Sequence, residues 1–339
     1  MMEEYFMMNY DVVFKRAIGW VKQNTIAGGI TVTDKQKRIY PEVTGYYIPT
    51  LIKLGGEWKV LAKEYADHMC EIQKDNGSWY DPRNIEPYVF DTCQILKGLV
   101  SISKAYPENK QYIRTLKKGC DWVISNIDLS GRLKPCRDNT FSDQRGYSEL
   151  IHIYCLSPLV DAAKMLNDSK YEEEAKRCLN YYIANYKEKI LDFHLLAHFY
   201  AYIMEGLVDM GEIDLAREAM SKIADIQQND GKIPAYCNVK WTCSTALFQF
   251  AITWFKLGDD KKAMKTFEYG CQLQNQSGGW YGRYPIDNFA KYIDRLIQAS
   301  RIPLFVNNHQ PNYFPDEEIS WAVKFYLDAY LLAKEKNII

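Results

Sequence analysis

The chain has 339 residues, of which 47% are hydrophobic and 25% charged, and a formal net charge of −1. That balance removes any electrostatic case for nucleic acid or an anionic membrane surface as partner, and no run approaches the roughly 20 apolar residues a membrane span needs. Nine cysteines without a C-x-x-C pair or a compact Cys/His cluster read as small buried thiols of a reduced, cytoplasmic protein, and the acidic amino terminus lacks the basic start of a secretory signal.

Helical periodicity runs through almost the whole chain, and two kinds of helix alternate. The first, at about 8–24, is amphipathic with one charged face, and the next, at about 43–54, is apolar nearly all round. The span at about 57–74 is amphipathic again, with Trp58, Leu61, Tyr65 and Met69 on one stripe. Apolar helices follow at about 88–106, 147–167, 193–211, 241–258 and 317–335, interleaved with amphipathic ones at about 110–126, 170–187, 213–228 and 259–274. All-round apolar helices belong inside and one-faced helices outside. Six inner and six outer helices result, offset so that the first is outer and the last inner. Pairing the two ends closes a ring, so the expected fold is an all-α (α/α)6 toroid in a single domain; an open solenoid of tetratricopeptide type is the alternative.

The connections are asymmetric. Inner helices lead outward through short turns at 54–57, 167–170, 210–214 and 257–260, each with the Gly, Asn or Asp of a helix cap. Outer helices return through longer segments rich in Trp, Tyr, Asp, Arg and Pro, so a pocket is expected at that end. The longest connection, about 281–316, has the length of a lid and supplies His309 and Glu317.

One turn repeats. Gln73, Gly77 and Trp79 recur with the same spacing as Gln274, Gly278 and Trp280, and Gln227 with Gly231 forms a partial copy. The glutamine can bond carbonyls left open at a helix end, the glycine permits a left-handed turn, and the tryptophan folds back over it. This pattern resembles the QW motif of the terpenoid cyclase and protein prenyltransferase superfamily, which implies an α/α toroid. The chemistry of that superfamily is not implied, because its Asp-rich runs are missing and Asp91-Thr92-Cys93 lacks the surroundings of a prenyltransferase zinc site. The Gly278-Gly279-Trp280 turn with the late Tyr313-Phe314-Pro315 segment also resembles toroid proteins of bacterial cell-surface polysaccharide biosynthesis, which implies a saccharide-related role.

Candidate site residues follow from that frame. Trp79, Tyr80, Asp81 and Arg83 are matched by Trp280, Tyr281, Arg283 and Tyr284, aromatic faces for sugar rings beside arginine forks for carboxylates; the bland reading is that each tryptophan caps its own turn. Trp241 is a further aromatic candidate. Polar residues in apolar helices form the second group: Asp91 with Gln94, Asp143, Arg145 and Tyr147, His152, and His194 with His198. Asp91 and Asp143 open consecutive inner helices as an acid and base pair would, a placement similar to that in the unsaturated glucuronyl hydrolases. His194 or Tyr147 is the candidate base of a lyase or epimerase, with Arg145 holding the substrate carboxylate. His194 and His198, spaced i, i+4, share a face of the fourth inner helix and could hold a metal, with Asp192 as third ligand only if its loop folds back; no metal or other cofactor is called for. The expected function is a saccharide-active enzyme of hydrolase, lyase or epimerase type on an acidic glycan of bacterial surface-polysaccharide metabolism. The alternatives are a non-catalytic glycan- or partner-binding toroid and a diverged isoprenoid cyclase or transferase.

Overall fold

In the computed structural model, residues 8–134, 148–284 and 313–339 are described. Twelve α-helices occur among them: α1 Tyr10–Asn24, α2 Pro41–Leu54, α3 Glu57–Ile72, α4 Val89–Ala105, α5 Lys110–Ser125, α6 Ser157–Leu166, α7 Lys170–Ile190, α8 Ala197–Asp209, α9 Ile213–Ile226, α10 Ser244–Leu257, α11 Asp260–Gln272 and α12 Ser320–Glu335. Even-numbered helices form an inner ring and odd-numbered ones an outer ring, so the fold is an (α/α)6 toroid. Burial separates the two kinds: nearly every residue of α10 is buried, against only one face of α9. α12 packs on α2 within the inner ring, and α1 covers α12, where Phe14 stacks on Tyr330 at 4.6 Å.

The third inner element departs from the expected continuous helix. Residues Glu149–Cys155 form a 3-10 helix and α6 starts afresh at Ser157. Pro158 explains the break: it lacks the N–H that a continuous helix would need and fits the first turn of a new one. The short outward turns carry the expected caps, with left-handed backbone at Asn167 and Gly258. Two-residue strands β1 Thr25–Ile26 and β2 Gly29–Ile30 form one hairpin, while β3 Thr242–Cys243 pairs with β4 Arg283–Tyr284.

The repeated turn joins neighbouring outer helices. The Gln73 amide donates to Gly77 O (3.0 Å) within its turn and to Thr115 O (2.9 Å) on α5. Gln227 donates to Lys262 O (3.0 Å) on α11, and Gln274 to Gly278 O (3.0 Å) and Val13 O (2.9 Å) on α1. The last of these closes the outer ring. The glutamines therefore bind the next helix rather than the carbonyls at the end of their own. Gly131, at φ +97°, packs against Arg177 O on α7 as the other turn glycines do on their neighbours. It marks a fourth copy with neither the glutamine nor the tryptophan.

A second closure lies at Glu318, whose carboxylate accepts from Trp20 Nε1 (2.7 Å) on α1, from Asn275 Nδ2 (2.8 Å) and from the Ser277 hydroxyl. Nothing in the local sequence separates Glu318 from its neighbour Glu317. All eight described cysteines are free thiols, and no described helix is long and apolar enough to cross a membrane.

Candidate active site

At the long-loop end, the first turns of several inner helices converge on a cavity of about 430 Å³, within the usual range for a small-molecule site. Glu42 from α2, Asp91 from α4, His198 from α8 and Trp321 from α12 all reach it from the second or third position of their helix. Helices α2 and α4 can come close because glycines face each other: a Cβ on Gly98 would lie 2.3 Å from Gly45 O. This crossing sets the first turns of α2 and α4 side by side. The wall is aromatic, formed by Tyr40, Tyr46, Tyr88, Phe90 and Tyr202, surfaces suited to the faces of sugar rings.

The rim carries the cations. Arg38 and Gln36 come from the hairpin after β2, which is held down by the segment before α12. Thr33 Oγ1 (2.6 Å) and Gln36 Nε2 (2.9 Å) both donate to Glu317 Oε2, while Glu318 N donates to Asp34 Oδ1 (2.8 Å). On the other side, Asp81 Oδ1 accepts from Ile85 N (2.6 Å), shaping the loop that presents Arg83, whose Nε lies 3.3 Å from Asp81 Oδ2. Arg38 and Arg83 are exposed while the carboxylates beneath them are buried.

Glu42 and Asp91 are 5% and 4% exposed, and burial pushes both carboxyls above their ordinary range. Glu42 rises to about 7, because the Tyr40 hydroxyl and the ammonium groups of Lys324 and Lys97 offset part of the desolvation. Asp91 rises well above its usual value, through burial first and then through the negative charges of Glu42 and Asp81. Burial thus favours the protonated form of Asp91, while Glu42, at about 7, is partly ionised at neutral pH. Two carboxyls whose environments give them different protonation states can act as acid and base.

Of the residues singled out from sequence, Asp81, Arg83, Asp91 and His198 line this cavity. Trp79 and Trp280 do not: both are fully buried, with Nε1 donating to Met69 O (2.7 Å) and Gly270 O (2.8 Å) on the preceding outer helix. A side chain with no exposed face cannot stack on a sugar, so the turn-capping reading holds for both. Tyr80 lies outside the cavity under the Lys74 ammonium. Arg283 packs over the Trp241 ring at 4.9 Å, and Tyr284 bonds Asn275 within the turn; these three also lie away from the lining. Glu317 acts at one remove, holding the rim hairpin.

His194 is displaced from its expected place on the fourth inner helix. α8 starts only at Ala197, so His194 lies in the preceding loop, exposed, with Nδ1 2.8 Å from Asp192 O. His198 is buried, its Nδ1 2.7 Å from Gln249 Oε1. The two rings therefore do not share a helix face, and no cluster of three or more metal-ligating side chains occurs among the described residues. Gln94 is core, donating to Phe90 O. Asp143, Arg145, Tyr147 and His309 lie outside the described residues.

Glu42 was missed because the expected start of α2 at residue 43 excluded it. The signal was Pro41, which is favoured at the first helical position and moves the helix start two residues earlier. His152 and His198 are both buried, which lowers them to about 3 and about 4; Arg132 adds to the shift at His152, and the Gln249 bond offsets part of it at His198. Each is depressed below its unfolded value, so the unfolded chain binds more protons between pH 6.5 and 4. Stability is then fully present above pH 6.5 and falls as pH drops through that window. Urea unfolding at pH 7 and pH 4.5 is expected to show this loss, and the double change His152→Gln and His198→Gln to shrink the difference. An undiminished difference in the double variant would assign the loss to other groups.

No family model matches the sequence, and a search of curated protein sequences finds no match. Solved structures do share the fold. An unsaturated glucuronyl hydrolase specific for heparin superposes with a TM-score of 0.70 at 13% identity, covering 96% of this chain and 97% of its own. A possible member of the GH105 family from Salmonella enterica gives 0.66 at 12% identity over 100% and 97%. A polysaccharide lyase gives 0.63 at 10% identity over 96% and 98%.

Proposed function

We propose that this chain is a saccharide-active enzyme that works on an acidic glycan by general acid–base chemistry, with Asp91 as acid and Glu42 as base. The observation that carries it is the Glu42 and Asp91 pair, buried together at the base of an aromatic cavity with Arg38 and Arg83 on its rim. Asp91, whose protonated form burial favours, can deliver a proton to a glycosidic or enol-ether oxygen or carbon, while ionised Glu42 takes one from an attacking water. The rim arginines suit a uronate carboxylate. The folds shared with a glucuronyl hydrolase, a GH105 member and a polysaccharide lyase support this class of substrate, and the resemblance to toroid proteins of surface-polysaccharide biosynthesis supports a place in that metabolism. The free thiols agree with a reducing cytoplasmic setting.

The test is turnover of a panel of oligosaccharides ending in saturated uronate, 4,5-unsaturated uronate or neutral sugar. Cleavage confined to the uronate-ended members is the expected result. Binding of these sugars without any product would replace catalysis with the glycan-binding reading.

The pH profile is specific. Rate should rise as Glu42 ionises through about pH 7 and fall at higher pH as Asp91 loses its proton. Because the negative charge of Glu42 raises Asp91, Glu42→Gln is expected to remove the acidic limb and shift the alkaline limb to lower pH. An acidic limb that survives in Glu42→Gln would remove Glu42 from the role of base.

A further inference from the structure

The opposite end of the barrel opens onto a second cavity of about 420 Å³, and Tyr46 lines both cavities. Five lysines and four acidic side chains line it. Three of those acids are already engaged: Lys256 Nζ bonds Glu205 Oε1 (3.0 Å) and Asp209 Oδ1 (2.6 Å), and Lys324 Nζ lies 2.8 Å from Asp328 Oδ2. On α4, Lys97, Ser101 and Lys104 line the cavity at spacings that keep them on one helix face. Neither Lys97 nor Lys104 has a carboxylate in ion-pair reach among the described residues. The Lys97 ammonium sits 2.9 Å from the centre of the Tyr154 ring. Glu205, from α8, is 6% exposed, and its Oε2 is buried with no hydrogen-bond partner among the described residues.

Lys97, half-buried against the Tyr154 ring with no carboxylate in ion-pair reach, and a buried carboxylate oxygen without a donor among the described residues are both incompletely satisfied. Both groups face the same cavity and suit a ligand with negative charge at one end and a hydroxyl at the other. We propose that this mouth is a second binding site for a small hydroxylated anion, a carboxylate or phosphate held by Lys97 and Lys104, with a hydroxyl donating to Glu205 Oε2. Burial lowers the Lys97 amine to about 7, more than Glu205 and Asp209 raise it, and Lys324 lowers it further. A bound anion would restore its charge, and the free amine is available to an aldehyde. The site does not depend on the reading of the first cavity.

The test uses the full chain. Calorimetric titrations with inorganic phosphate, glucuronate and glucose measure binding, and each is repeated on Lys97→Met, Lys104→Met, Glu42→Gln and Asp91→Asn. Location is read separately by pyridoxal phosphate, whose aldehyde condenses with the Lys97 amine with loss of water; borohydride then reduces the imine, and peptide mapping finds the label.

Phosphate or glucuronate should bind where glucose does not, and whichever of the two binds identifies the source of the anion. Lys97→Met should weaken that binding by about tenfold or more, as expected for a charged hydrogen bond. The same anion should protect Lys97 from labelling, and Glu42→Gln and Asp91→Asn should leave that protection intact. Absence of anion binding, unchanged binding in Lys97→Met with its fold checked by circular dichroism, or protection lost in Glu42→Gln would each overturn the proposal.

Discussion

Asp91→Asn is expected to lower kcat by about 100- to 10,000-fold, the span assigned to a positioned general acid, while KM changes little. Asparagine keeps the size and hydrogen-bonding shape of a protonated aspartate, so the ground-state complex should survive and only proton delivery should fail. Stability should not fall, since the substitution removes a carboxyl whose ionisation is opposed by burial, Glu42 and Asp81. The acidic limb of the residual rate should stay in place, because Glu42 owes its raised value to burial and not to Asp91. Steady-state kinetics of the variant across pH 5–9 on a uronate-ended oligosaccharide checks all three points. A variant with undiminished kcat would exclude Asp91 as the acid, whereas a raised KM with kcat intact would make it a binding residue.

Gly278→Ala should be among the most damaging small substitutions in the scaffold. Gly278 has φ +99°, and a Cβ there would lie 2.2 Å from Arg16 O on α1. Left-handed strain and the forced separation of α11 from α1 together should cost about 2–4 kcal/mol. Gly258 supplies the control: it also has positive φ, at +84°, but a Cβ there meets nothing within 4 Å. Gly258→Ala should therefore show the backbone strain alone, about 1–2 kcal/mol. Denaturant unfolding of both variants separates the terms. Equal losses would mean that the contact with Arg16 yields freely and that ring closure does not depend on this turn.

The same turn shows how far a linear reading reaches. Spacing of apolar residues carries over directly into helix type, because a helix repeats every 3.6 residues wherever it lies; inner and outer helices, their order and the ring followed from that. Glycines at the turns were legible for a similar local reason. The partners of Gln73 and Gln274 were not, since Thr115 and Val13 are neighbours only once the outer ring has formed. Helix starts were weakest, and they mattered most for function. A shift of two residues at Pro41 hid Glu42, and a later start at Ala197 separated His194 from His198.

Sequence alone thus determined the alternation of buried and half-buried helices, the closed toroid, and the end at which long loops gather. It also marked Asp91 as a polar residue at the head of an apolar helix. Tertiary structure decided which carboxylate stands beside it, since the Gly45 and Gly98 crossing brings the first turns of α2 and α4 together. It also decided that Trp79 and Trp280 belong to the scaffold. Helix type depends on contacts between residues three and four apart, but a site depends on which helices touch and where each begins.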